Sequence, residues 1–283
     1  MKILIGTAQF DKNYGISRPA GKFNLAQKKK LIKFAQKNKI TGIDTAKSYK
    51  NAEKQLGQIG VKNFSVVSKL PRLKKNLNIE KQLMFSIKAS LQNLQLKSMY
   101  AILIHDLNDL NINNREKYLS VLKKIKKINL VKKIGISLYD INDIKKIIKY
   151  WKPDLIQIPY NILDRGLNDR SIIRIIKKNK IEIHARSIFL QGLLTKKTNK
   201  KKFNRWKKIF SAWFVWCKKQ RVEPFEAAYL YVKKNVNIDK IVIGFDNLKQ
   251  VEDIIKIKKK IKKFPNFKCT DKKLINPSNW SSL

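Results

Sequence analysis

Four residues of the types that move protons in enzymes, Asp44, Tyr49, Lys69 and His105, fall at corresponding points of the chain. Asp44 ends the run Gly42-Ile43-Asp44, Lys69 ends Ser65-Val66-Val67-Ser68-Lys69, and His105 follows Ala101-Ile102-Leu103-Ile104. Short aliphatic, β-branched runs of this kind read as buried strands. Each ionisable group therefore sits where a strand gives way to a loop, and Tyr49 follows in the loop after Asp44. Singly, each has an ordinary explanation. Asp44 suits a turn or cap, Lys69 is one lysine among many, His105 suits a satisfied structural histidine, and Tyr49 suits a packing aromatic. On neighbouring strand ends the groups would converge on one spot, with Tyr49 arching over from its loop.

Such convergence needs a scaffold that brings many strand ends together. Strand-like runs are read at 3–6, 42–44, 65–69, 101–104, 133–137, 155–158, 182–186 and 241–244. Amphipathic, lysine-rich helical patterns lie between them, at about 25–38, 51–59, 79–94, 115–128, 141–150, 170–179, 224–235 and 248–262. Asn24 is positioned as an N-cap, Pro224 suits a first helical turn, and Pro71 stops the third strand's segment. Strict alternation means a parallel sheet. Eight units in 283 residues favour a closed α/β (β/α)8 TIM barrel over an open sheet. The first strand is followed by Gly6-Thr7-Ala8-Gln9-Phe10, without a G-x-G-x-x-G or a P-loop. One domain over 1–283 is expected, with an insertion at about 188–223, containing Trp206, Trp213 and Trp216, over the C-terminal mouth.

Composition narrows the class. Cys217 and Cys269 lie far apart and outside any C-x-x-C spacing, which argues against a disulfide framework or a cysteine zinc site and suggests two buried thiols. No metal is expected. No targeting segment or membrane-length apolar run is visible, so a cytoplasmic location is expected. Lys+Arg is 64 against Asp+Glu 20, a formal charge of +44. The lysines recur along the whole chain, mostly on polar helix faces, without a recognised nucleic-acid motif. Polyanion binding is accordingly expected to be weak, sequence-independent and steeply salt-dependent, with no specific nucleic-acid partner.

Several segments resemble the aldo-keto reductase family, in its order and over nearly the whole chain. They are Gly6-Thr7-Ala8-Gln9-Phe10 with Tyr14-Gly15, Gly42-Ile43-Asp44-Thr45-Ala46 with Tyr49 and Ala52-Glu53-Lys54-Gln55-Leu56-Gly57, and Ser68-Lys69-Leu70. Ile104-His105-Asp106, Gly135-Ile136-Ser137, Gln157-Ile158-Pro159-Tyr160-Asn161, and Ile243-Gly244 with Gln250, Glu252 and Asp253 continue the match. D-T-A-x-x-Y-x-x-A-E-x-x-L-G is its most specific part. The resemblance implies reduction of an aldehyde or ketone, with a sugar-related carbonyl suggested by analogy, and a catalytic tetrad of Asp44, Tyr49, Lys69 and His105. Tyr49 would be the general acid, its pKa lowered by Lys69; Asp44 would orient Lys69, and His105 would direct the carbonyl oxygen.

By the same resemblance a nicotinamide cofactor is expected, NADP(H) favoured and NAD(H) open. Ser137 and Gln157 would hold its carboxamide, Tyr160 would stack on its ring, and Arg186 with residues up to 194 would follow the pyrophosphate. Gly244, Gln250, Glu252 and Asp253 would line the adenosine end. Loops at 14–23, 107–114 and 189–206 would build the substrate pocket. The sequence departs from the family pattern at Asp11-Lys12, at Leu138, at Lys50 in place of a glycine, and at Asp246, where a basic residue often stands. Two further readings are a cofactor-binding barrel without catalysis, serving as a regulatory or scaffold subunit, and a polyanion-binding protein. The oligomeric state is left open.

Overall fold

Eight parallel strands close into a barrel in sequence order: β1 (Lys2–Gly6), β2 (Gly42–Asp44), β3 (Ser65–Lys69), β4 (Met99–Ile104), β5 (Val131–Ser137), β6 (Leu155–Pro159), β7 (Glu182–Arg186) and β8 (Lys240–Gly244). The computed structural model describes residues 2–10, 23–74, 77–110, 113 and 115–282. Closure is made by β8 against β1, with Gly6 opposite Gly244. The barrel interior and its outer layer are separated by strand alternation. Leu4, Val67, Ala101, Leu103 and Leu155 pack against one another inside the barrel, whereas Ile5, Val66, Ile102 and Ile156 join the larger core beneath the helices.

That alternation aims the strand ends. Side chains two residues beyond an inward one also point inward, so Val67 sets Lys69, Leu103 sets His105 and Leu155 sets Gln157. The fold thus delivers polar side chains to the C-terminal mouth through the same rule that fills the barrel with leucine and valine.

The outer layer consists of α1 (Leu25–Lys37), α2 (Ala52–Ile59), α3 (Ile79–Leu94), α4 (Arg115–Lys127), α5 (Ile144–Ile147), α6 (Arg170–Lys178), α7 (Lys207–Lys219), α8 (Pro224–Lys233), α9 (Leu248–Lys256) and α10 (Lys272–Ile275). Asn24 and Gln27 form a reciprocal capping box at the start of α1, each side chain 2.9 Å from the other's backbone nitrogen. Pro224 opens α8.

Two helices are shorter than their sequence patterns. The segment expected to be helical over 141–150 is a 3₁₀ turn, Ile141–Asp143, followed by the single turn α5. Helix α9 ends at Lys256 rather than reaching 262, because Ile257 turns extended (φ −65°, ψ 104°). Continuing it would stack Lys256 on Lys260, Lys258 on Lys262 and Lys259 on Lys263, like charges at helical i,i+4 spacing.

The N-terminal end of the barrel is closed by a largely buried polar cluster. The Glu182 carboxylate accepts from Tyr100 Oη at 2.6 Å, meets His184 Nε2 at 2.7 Å and Lys240 Nζ at 2.8 Å, and pairs with Lys133. Burial alone would raise the Glu182 pKa, but these partners hold it far below the usual carboxylate range. Cys217 and Cys269 are buried, free thiols, and among the described residues no helix is long and apolar enough to cross a membrane.

Candidate active site

Asp44 is the hub of the barrel mouth. Its Oδ1 receives Lys69 Nζ at 2.5 Å and its Oδ2 receives Gln157 Nε2 at 2.6 Å, all three side chains being buried. Lys69 also donates to the Thr45 carbonyl at 2.9 Å. Tyr49 sits over this group. Lys69 Nζ lies 5.3 Å from its ring centroid, and the His105 ring meets it edge-on at 6.3 Å. The four residues that close or follow β2, β3 and β4 are therefore brought together.

The electrostatics differ from the sequence expectation in one respect. Burial, and then the Asp44 carboxylate, raise the Tyr49 pKa well above its ordinary value, with Arg186 pulling it down. Lys69 was expected to lower it. Its charge is instead neutralised at close range by Asp44, which leaves a firmly protonated phenol. For His105, burial and then the Lys69 and Arg186 charges lower the pKa to about 4, so its imidazole is neutral at pH 7.

Glu53 is a component the sequence reading quoted without a role. It is buried on α2, accepts from Ser68 Oγ at 2.7 Å and lies 3.9 Å from Lys47 Nζ. It thus ties the Tyr49 loop to the strand that carries Lys69. Its place in the A-E-x-x-L-G segment was the available signal. Lys50 adopts a left-handed φ of 42°, a conformation that the glycine it replaces takes without strain. Lys28 also departs from the polar-face pattern: it is buried, donates to Gln55 Oε1 at 2.7 Å and to the Phe10 carbonyl, and holds α1 beside the turn that follows β1.

Beside Tyr49 opens a cleft of about 320 Å³. Asp44, Tyr49, Gln157 and Arg186 line one part of it, and Gly244, Asp246, Gln250 and Asp253 another. A Cβ on Gly244 would fall 1.9 Å from Gln9 Nε2, so the glycine leaves the room that the Gln9 amide fills in the cleft wall. Gln9 belongs to the Gly6-Thr7-Ala8-Gln9-Phe10 segment of the resemblance, which carries no role for it. The wall between the two ends is the loop after β7, where Ser187, Leu190 and Gln191 have φ of 55°, 47° and 52°. Three left-handed non-glycine residues so close together mark a backbone held in strain at a site. Residues 189, 191, 192, 195 and 196 of the insertion line the cleft, while its helix α7 stacks Trp213 on Trp216 and packs both on Phe267.

Three expected cofactor residues do not line the cleft. Ser137 is buried next to Gln157 in register, and neither it nor Glu252 of α9 lines the cleft. Tyr160 is a correction. Strand alternation turns it outward, where its ring stacks on Tyr231 of α8 at 5.4 Å and its hydroxyl donates to Asn168 Oδ1 at 2.8 Å. It floors a separate groove on the outer wall between α6 and α8, rimmed by lysines and arginines. Asp11, Lys12, Tyr14 and Gly15, and the pocket positions at 14–22, 111, 112 and 114, lie outside the described residues. Among the described residues, no group of His, Cys, Asp and Glu could hold a metal ion.

The family model for the aldo/keto reductase family matches residues 2–266. The chain belongs to that family. The aldo/keto reductase is thus an oxidoreductase of carbonyl compounds in a family that uses nicotinamide cofactors generally. Its barrel is similar to that of the aldo-keto reductase AKR11C1 from Bacillus halodurans in its holo form, with a TM-score of 0.71 at 15% identity, covering 90% of this chain and 85% of that one. It is also similar to the glycerol dehydrogenase AKR11B4 from Gluconobacter oxydans, with a TM-score of 0.70 at 17% identity, covering 91% and 86%. No curated protein matches the sequence.

Proposed function

We propose that this reductase converts an aldehyde or ketone to the alcohol, with Tyr49 as general acid. The observation that carries the reading is the placement of a protonated, cleft-lining phenol between a neutral imidazole and a buried Lys69–Asp44 pair. His105, uncharged, can donate a hydrogen bond to a carbonyl oxygen and aim it at the Tyr49 hydroxyl without giving up a proton itself. A phenol with a raised pKa holds its proton against water and releases it to a stronger base, the alkoxide that forms as the C=O π pair moves onto oxygen. The oxygen takes the Tyr49 proton, and the phenolate regains one from solvent. Asp44, Lys69 and Gln157 position the tyrosine's surroundings rather than exchange the proton.

A nicotinamide cofactor fits the residues present. Asp246 Oδ1 is a buried acceptor without a donor, on the wall shared by Gln250 and Asp253. The Asp246 backbone N–H donates to Gln250 Oε1 at 2.8 Å, which fixes that wall. When bound, the reduced cofactor supplies the hydride. Gly244, Asp246, Gln250 and Asp253 would hold its adenosine end, with Lys196 for phosphate and Gln157 for the carboxamide. The family resemblance favours NADP(H), but the residues here fit NAD(H) better. An unpaired carboxylate suits a free 2′-hydroxyl, and the nearby Lys249 is engaged with Asp253 at 3.1 Å. A sugar-related carbonyl stays within the proposed class.

The test is a panel of small aldehydes and ketones with each reduced cofactor, followed by loss of nicotinamide absorbance. Turnover of at least one carbonyl is expected. Cofactor binding without any turnover would favour the non-catalytic barrel instead.

A further inference from the structure

Arg186 carries an uncompensated charge beside Tyr49. The other ionised groups around the tetrad are matched: Asp44 with Lys69 at 2.5 Å, Glu53 with Lys47 at 3.9 Å, and Asp106 with Arg72 at 3.9 Å. Among the described residues no carboxylate forms an ion pair with Arg186. Its guanidinium lies over the Tyr139 ring at 4.5 Å, its Nη2 donates to the Leu138 carbonyl at 3.1 Å, and its Nη1 reaches Ser187 Oγ at 3.3 Å. Its Nε is buried without an acceptor. The backbone beneath it is equally fixed. The Arg186 carbonyl accepts from Tyr160 N at 3.1 Å, and the Ser187 carbonyl accepts from Asn161 Nδ2 at 3.1 Å. The Asp164 carboxylate feels this charge without pairing with it, so the half-buried guanidinium, held this firmly and without an ion pair, is set to take up an anion.

Resting on the reading of the cleft as a carbonyl-reducing site, we infer that Arg186 recognises a carboxylate on the substrate, so that the preferred substrates are oxo acids rather than neutral carbonyls. Four considerations place that anion on the substrate. Arg186 acts electrostatically on both Tyr49 and His105, the groups that face the reacting oxygen. The nicotinamide carboxamide is neutral and cannot compensate a guanidinium. The alkoxide is transient and is quenched by the Tyr49 proton. Among the described residues the other cation lining the cleft is Lys196, in the loop after β7, and it remains for the cofactor's phosphates; Arg186, which the resemblance assigned to the pyrophosphate, lines the cleft with Tyr49 and is tied to Leu138 and Ser187. The planar fork of arginine matches a carboxylate with two parallel hydrogen bonds, a geometry lysine does not offer.

The experiment compares matched pairs, 2-oxobutyrate against 2-butanone and succinic semialdehyde against butanal, in wild type, Arg186→Leu and Arg186→Lys. Calorimetric titration with succinate, which cannot be reduced, runs alongside as a readout independent of turnover. Wild type is expected to prefer the acid of at least one pair by tenfold or more in kcat/KM, mainly through KM. Arg186→Leu should reduce that ratio at least tenfold and abolish succinate binding, and Arg186→Lys should restore only part of either. Arg174→Leu, on the outer wall, should bind succinate as wild type does, which separates a site from the general positive field. Equal use of acid and neutral partners, or an unchanged ratio in Arg186→Leu, overturns the inference while leaving carbonyl reduction standing. A wild type that reduces no carbonyl but loses succinate binding on Arg186→Leu refutes the proposed activity and keeps the anion site.

Discussion

Gln157 and Asp44, 113 residues apart in sequence, share a 2.6 Å hydrogen bond across the barrel mouth. With Lys69 on the other carboxylate oxygen, Asp44 joins β2, β3 and β6 through one side chain. Each of the three groups is buried, so each depends on the others for its polar partners.

Removing one member should therefore destabilise the fold as well as the chemistry. Lys69→Met strands a buried carboxylate, a loss of about 3–5 kcal/mol. Asp44→Asn combined with Lys69→Met should recover a substantial part of that, because the neutral amide no longer needs a cation. Urea unfolding of the two variants checks this. Equal destabilisation in single and double variants would mean that the pair contributes through packing alone.

Acid should weaken the protein through His105. Its pKa falls from 6.5 in the unfolded chain to about 4 in the fold. The unfolded state therefore takes up the proton first as pH falls. The stability associated with neutral His105 is complete above pH 6.5 and is lost progressively toward pH 4, on the order of 3 kcal/mol in all. His105→Gln should flatten this part of the stability curve. His184, also shifted downward by burial, should leave a residual slope in the same direction. A His105→Gln curve parallel to wild type between pH 4 and 6.5 would refute the assignment.

Much of this arrangement was legible in the sequence. The strand ends could be read because β-branched runs break cleanly into polar residues, and the inward phase of Lys69, His105 and Gln157 follows from period-two alternation. That same phase would have turned Tyr160 outward, and matching the family's motif in its place led to the wrong face. The stop at Lys256 was hidden because Ile254, Ile257 and Ile261 keep helical spacing while their lysines repel. Helix α7 was obscured by aromatic residues on several sides, and the unpaired state of Arg186 depends on what lies near it in space, which spacing does not reveal.

Cofactor choice should turn on Asp246. Asp246→Arg exchanges an acceptor for a fork-shaped cation and should shift the ratio of kcat/KM values toward NADPH by tenfold or more, about 1.4 kcal/mol. Steady-state kinetics with both cofactors measures it. An unchanged ratio would place the ribose away from this side chain.

The most direct test of the account is kcat for Tyr49→Phe with the best carbonyl substrate, alongside cofactor affinity from fluorescence titration. The substitution keeps the ring against His105 and Lys69 and removes only the proton donor. The account predicts a loss of about 10²–10⁴-fold in kcat, with cofactor affinity within about twofold of wild type, well under the 1.4 kcal/mol of a tenfold change. Wild-type turnover in Tyr49→Phe would contradict it.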